Sequence, residues 1–246
     1  LRGRWKAIVL TLSLTQCVAG YWRLRMRGKP SPAQKALWLH RSCKLVLRRL
    51  GFGLRLSGEA PRQGLLVSNH LSYLDILFYG ATLPCVFVAK TEVRSWPLLG
   101  LLAALGGTVF IDRGSTASAA SASLRIQGLL AAGIVVLIFP EGTSSDGSTV
   151  LRFYPSLFEP AVRTEMPATA AAIRYSAEPF AIEKELCYYG DIRFGPHLLQ
   201  TLQLPSILAS IRFASPGTYY QDRKQAAAAT RAEVLALRDA RSGPAA

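Results

Sequence analysis

From about Gly51 onward, short and nearly uninterrupted apolar runs alternate with longer stretches of helical period. Leu65–Val67, Cys85–Ala89, Thr108–Ile111 and Ile134–Phe139 offer almost no polar position to water, so each predicts a strand buried on both faces. Two further strands are expected over Ala168–Tyr175 and Ile207–Phe213. Between and after them, helices are expected over Tyr73–Tyr79, Pro97–Leu105, Thr116–Ala132 and Tyr219–Arg241. Continuous apolar strands separated by helices imply an α/β fold, a largely parallel mixed sheet covered by helices. The first fifty residues follow a different pattern. An apolar run from Ala7 to Trp22 is followed by Pro30 and Pro32, then by a stretch from Ala33 to Leu50. There Leu37, Trp38, Leu45, Val46 and Leu47 are interleaved with Arg41, Lys44, Arg48 and Arg49. The chain therefore divides into a helical segment over residues 1–50 and an α/β domain over residues 51–246.

Charge changes the picture of the first part. The 246 residues carry a formal net charge of +14, and half of them are hydrophobic. Of the 29 Lys and Arg, 13 lie within residues 1–55, where there is no Asp or Glu. A basic collar around an apolar segment is the pattern of attachment to an anionic bilayer surface. No zinc finger, RNA-recognition signature or basic strand interleaved with aromatics accompanies the charge, so nucleic acid is not expected as a partner. Residues 7–22 are about the minimum length that spans a bilayer, but Thr11, Ser13, Thr15 and Gln16 dilute them. Val18-Ala19-Gly20 is a mediocre cleavage site, and basic residues continue beyond it, which argues against a signal peptide. A helix lying in the interface or shallowly inserted is the first reading, and a single span the second. The stretch from Ala33 to Leu50 reads as a basic amphipathic helix on the membrane, or alternatively as a surface helix packed on the domain. The four cysteines (Cys17, Cys43, Cys85, Cys187) form no CxxC pair and read as reduced thiols in a cytosol-facing protein, with no metal site.

The strand ends carry the chemistry. Leu65–Val67 runs into Asn69-His70 and then Asp75. Thr108–Ile111 runs into Asp112-Arg113-Gly114, and Ile134–Phe139 into Pro140-Glu141-Gly142-Thr143-Ser144. Open α/β sheets place ligands at the carboxyl ends of their strands. Histidine titrates near neutrality, and a carboxylate accepting from one ring nitrogen leaves the other free to take a proton. Residues five apart do not share one face of a straight helix, so His70 is expected in the loop and Asp75 within the helix after it. The chain has no Gly-x-Ser-x-Gly elbow, Walker loop or HExxH, so the attacking group is expected to be a hydroxyl of the substrate. Arg113 offers a fixed cationic fork for phosphate or carboxylate. Gly142 allows close approach of backbone to a ligand, while Glu141 either contacts substrate or braces its loop.

His70-x4-Asp75, the block Gly107-Thr108-Val109-Phe110-Ile111-Asp112-Arg113 and Phe139-Pro140-Glu141-Gly142-Thr143 occur in the order and spacing of a known family. The sequence resembles the glycerolipid acyltransferases that include lysophosphatidic acid acyltransferases, across roughly Gly51 to Phe213. The resemblance implies acyl transfer from acyl-CoA or acyl carrier protein to a lysolipid hydroxyl, without a covalent acyl-enzyme and without a cofactor. It assigns His70 as general base and Asp75 as its orienting acid. Asn69, Arg113, Glu141, Gly142, Thr143 and Ser144 form the substrate-binding set. A two-helix membrane motif at the cytoplasmic face of the inner membrane is likewise similar to family members. Members specific for lysophosphatidate commonly carry arginine where this chain has Ser144, and Arg152 is a candidate substitute. In the fourth block Pro167 is present, with Ala170 near the place of a second proline. Lysophosphatidate is the first expected acceptor and lyso-ornithine lipid the alternative. A lipid-binding membrane protein without turnover is the reading from another class.

Overall fold

Successive side chains of a strand leave on opposite sides of a sheet, and this chain fills both sides with apolar residues. The computed structural model describes residues 2–96, 99–112, 114–214 and 216–240. Its strands are β1 (Gly53–Ser57), β2 (Leu65–Ser68), β3 (Val86–Lys90), β4 (Val109–Ile111), β5 (Val136–Ile138), β6 (Ala168–Ser176) and β7 (Leu208–Phe213). They form one sheet in the order β1-β7-β6-β2-β5-β3-β4. Every neighbouring pair is parallel except β6 and β7, so the sheet is largely parallel and mixed, as the sequence implies.

The helices are α1 (Arg2–Met26), α2 (Pro32–Leu50), α3 (Leu74–Thr82), α4 (Leu99–Leu105), α5 (Thr116–Ala131), α6 (Glu159–Arg163), α7 (Glu183–Leu186), α8 (Phe194–Gln203) and α9 (Arg223–Asp239). Leu66, Leu137 and Ile173 enter a core shared with α1, α2, α3 and α8. Their strand neighbours Leu65, Val136 and Ala172 enter a second core, under α5, α6 and α9. Pro97 and Arg241, expected at the ends of two helices, lie outside the described residues. The strand β1 was not expected from the sequence. It is an edge strand, paired only with β7 and largely exposed, so it lacks an apolar run.

The first two helices form a hairpin docked on the domain. Ser31 and Gln34 cap the start of α2 reciprocally, Pro32 occupies its first turn, and Gly51 ends it at φ 69°. The apolar face of α2 (Trp38, Leu39, Cys43, Val46, Leu47, Leu50) is buried in protein, as the surface-helix reading expects, while Leu37 is exposed. Helix α1 is apolar on two sides. Leu14, Cys17 and Tyr21 face the protein, where the Trp38 indole donates to the Cys17 carbonyl at 3.0 Å. Trp5, Ile8, Leu12, Trp22 and Met26 are exposed. Lys6 is buried against the protein instead, donating to the carbonyls of Leu204 and Pro205 at 2.9 and 3.0 Å, with its ammonium over the Phe52 ring. No helix among the described residues is long and apolar enough to cross a membrane, which gives no support to the spanning reading of residues 7–22.

Candidate active site

The parallel strands β2 to β5 end on one edge of the sheet, and the site is built where their chains emerge. After β2 the chain turns sharply around the carboxylate of Asp75. Asp75 Oδ2 accepts from the backbone N–H groups of Leu71 at 2.8 Å and Ser72 at 3.1 Å, and lies 2.6 Å from His70 Nδ1. That wrapping brings together two residues which a continuous helix would hold on different faces. His70 thus sits in the loop and Asp75 in the first turn of α3. The carboxylate is fully buried, whereas the imidazole is partly exposed. The other carboxylate oxygen, Oδ1, accepts from the hydroxyl of Tyr175 at the end of β6. The His70 ring lies flat on Phe139, with centroids 4.2 Å apart and planes 15° from parallel. A ring held on one nitrogen and one face keeps its second nitrogen aimed in a fixed direction.

The loop after β5 is tied to the histidine loop. Gly142 adopts φ 72°, a turn conformation that favours glycine. The Glu141 carboxylate accepts from the His70 backbone N–H at 2.8 Å and from that of Leu151 at 3.0 Å. The Ser145 N–H returns a bond to the His70 carbonyl at 2.9 Å, and Ser144 Oγ donates to the Tyr188 carbonyl. Burial raises the Glu141 carboxyl above its ordinary value, an effect that its two backbone donors oppose. Helix α9 fastens the loop from outside. Arg231 donates to the carbonyls of Leu151 and Val150 at 2.8 and 2.6 Å, and Arg238 to that of Gly147 at 2.6 Å.

His70 forms part of the wall of a cavity of about 320 Å³. Ile76, Phe87, Val88, Ile111, Ile138 and Leu157 make its apolar wall, while Lys90, Thr143, Ser144 and Tyr188 bring polar groups to it. Ile111 and Leu157 also wall a second cavity of about 320 Å³ beneath α5. Lys90 is the one Lys or Arg among the described lining residues.

The residues singled out in the sequence fall into distinct places. His70, Gly142, Thr143 and Ser144 line the cavity. Asp75 and Glu141 stand behind it, buried, Glu141 with both oxygens on backbone donors of its own fold. Asn69 is buried and faces the sheet: its amide donates to the Ile173 carbonyl at 3.1 Å and accepts from the Ile173 N–H at 2.9 Å. Arg113 lies outside the described residues, and Arg152 is not among the cavity's lining residues. Sequence reasoning passed over Lys90 and Tyr175. Lys90 closes an apolar strand at the functional edge of the sheet, the same signal that marked Asn69-His70. Tyr175 carries no local signal, because its partner lies 100 positions away.

A family model described as Acyltransferase matches residues 55–174. The chain is 43% identical over 167 residues to a lyso-ornithine lipid O-acyltransferase of Pseudomonas aeruginosa, covering 68% of this chain and 62% of that protein. A lyso-ornithine lipid O-acyltransferase of Brucella abortus is 34% identical over 213 residues, 79% of each chain. A 1-acyl-sn-glycerol-3-phosphate acyltransferase of Neisseria meningitidis serogroup B is 38% identical over 136 residues, 54% of this chain and 53% of that one. The fold is that of the crystal structure of the 1-acyl-sn-glycerophosphate acyltransferase PlsC from Thermotoga maritima. That match has a TM-score of 0.67 at 18% identity and covers 98% of this chain and 99% of that one. With the His70–Asp75 loop, the braced Glu141-Gly142 turn and relatives matched over most of their length, the chain belongs to the lysolipid acyltransferase family.

Proposed function

We propose that the protein transfers a fatty acyl group from a thioester, acyl-CoA or acyl carrier protein, to the hydroxyl of a lysolipid. The observation that carries this reading is the imidazole of His70, held by a buried carboxylate at 2.6 Å while its ring borders a largely apolar cavity. Asp75 accepts from Nδ1–H and so leaves Nε2 as the proton acceptor. The acceptor hydroxyl gives its proton to His70 as its oxygen forms a bond to the thioester carbonyl carbon. The tetrahedral intermediate then collapses with loss of the thiolate, which takes the proton back from His70. The product is an ester and a free thiol. Asn69 and Glu141 serve this arrangement by holding its backbone, whereas Gly142, Thr143 and Ser144 face the substrate.

The favoured acceptor is a lyso-ornithine lipid. The relatives acting on that lipid match over 62% and 79% of their length, against 53% for the relative acting on 1-acyl-sn-glycerol-3-phosphate. The chemistry of the cavity points the same way. At the position where lysophosphatidate enzymes commonly carry arginine, Ser144 is engaged by the Tyr188 carbonyl, and Lys90, the one cation among the described lining residues, suits a carboxylate. Acylation of 1-acylglycerol-3-phosphate is the second reading, favoured by the Neisseria relative. The exposed Trp5, Ile8, Leu12 and Trp22 of α1, within a basic segment, support attachment to the cytoplasmic face of an anionic membrane.

A thiol-release assay with both lysolipids and both thioester donors tests the reading. Lyso-ornithine lipid is expected to be acylated faster than lysophosphatidate. His70→Ala is expected to lower kcat by roughly a thousand-fold while leaving the circular dichroism spectrum unchanged. Near-normal turnover by that variant with either acceptor would overturn the mechanism.

A further inference from the structure

The His70–Asp75 pair has a third member contributed by β6, the strand beside β2. Asp75 is fully buried, and its two oxygens are treated differently. Oδ2 takes the imidazole and two backbone N–H groups, whereas Oδ1 takes the phenol of Tyr175. Tyr175 is itself fixed from behind. Its backbone N–H donates to the Glu183 carboxylate at 2.8 Å, and Arg238 of α9 donates to that same carboxylate at 3.1 Å. A tyrosine in a core needs a partner for its hydroxyl. Here the partner is the acid that orients the catalytic imidazole.

We infer that Tyr175 is a positioning residue for acyl transfer, a hydrogen-bond donor that holds the Asp75 carboxylate in register with His70 and sets how strongly the pair takes up a proton. The inference rests on the general-base reading of His70. Burial, reinforced by the Asp75 charge, keeps the Tyr175 phenol well above its ordinary value, so it remains a donor wherever the enzyme works. The other titratable groups facing this centre are Tyr79 on α3, Cys187 after α7, and Glu141 behind the His70 backbone. Tyr79 is occupied by Ser68, and Cys187 by the Glu183 carbonyl. Withdrawing a donor from a buried carboxylate raises its affinity for protons. The imidazole must be unprotonated to act, so the acid limb of kcat/KM then moves to higher pH.

The test uses the full chain in pH–rate profiles with a lysolipid acceptor. Tyr175→Phe is expected to lower kcat roughly ten-fold, the scale of one bond to a charged group, with little change in KM. The acid limb is expected to shift upward by about one pH unit. Incorporation of 3-fluorotyrosine at position 175 keeps the ring and hydroxyl but makes the phenol a stronger donor, and it should shift the limb downward. That variant decides the matter if Tyr175→Phe fails to fold. In an Asp75→Asn background, Tyr175→Phe should cost little more, because its effect passes through Asp75. An unmoved acid limb with 3-fluorotyrosine, or full additivity with Asp75→Asn, overturns the role of Tyr175. Persistent activity in His70→Ala instead overturns the general-base reading itself.

Discussion

His70 and His197 are both held by a hydrogen bond at Nδ1 close to the same cavity, and they differ in what stands at the other end of that bond. For His70 it is a buried carboxylate at 2.6 Å; for His197, on α8, it is the hydroxyl of Tyr73 at 3.0 Å. The His197 ring is packed among Tyr73 and Tyr188, with centroids 5.6 and 5.5 Å away. Burial lowers its proton affinity, and backbone carbonyls only partly offset this. A hydroxyl fixes a ring without stabilising positive charge on it, whereas a carboxylate does both. Closeness to the cavity is thus common to both rings, whereas a buried acid on one nitrogen and a place on the cavity wall distinguish His70 from His197.

Three substitutions test this contrast. Asp75→Asn replaces the orienting acid by an amide of the same shape and should lower kcat by on the order of 10³–10⁴, because the imidazole loses its tautomer and its counter-charge. If that variant retains substantial turnover, the distinction between the two histidines fails. Glu141→Gln keeps the side chain but removes one charge-assisted acceptor from the loop, and should cost about 1.5–3 kcal/mol in urea unfolding. The Glu141 carboxyl is raised in the folded state, so its ionisation weakens folding as pH rises from about 4.5 through the higher folded value. The stability gap between wild type and variant should therefore narrow across that window. His197→Phe is expected to be the mildest of the three, changing kcat by less than about ten-fold. The lowered His197 value means that its stabilising effect is full above about 6.5 and is lost as pH falls toward the folded value. Unfolding melts of His197→Phe should accordingly show a flatter pH dependence below 6.5 than wild type.

How far the sequence reveals the molecule depends on whether the signal is local. Strands β2 and β5 are legible as Leu65–Val67 and within Ile134–Phe139, because both faces are covered and every position is apolar. The edge strand β1 is half wet and leaves no such run. The His70–Asp75 pair is legible because five positions and one loop connect it. Its Tyr175 partner depends on how β6 lies beside β2, which no local pattern encodes. The two readings of Glu141 separate only once the carboxylate is seen between the backbones of His70 and Leu151. The amphipathic pattern of α2 identified a buried face correctly but did not say what buries it. Protein does, and α1 is left presenting the exposed tryptophans.

The arginines of α9 make the loop beside His70 depend on a helix that follows it by some seventy residues in the chain. Arg231 and Arg238 cap the carbonyls of Gly147, Val150 and Leu151, though neither is among the residues lining the His70 cavity. A truncation before Arg223 would delete no lining residue, yet would release the loop that braces the His70 backbone. For protein engineering, α9 belongs with the loops around His70: versions shortened or altered there should be screened by turnover as well as by solubility.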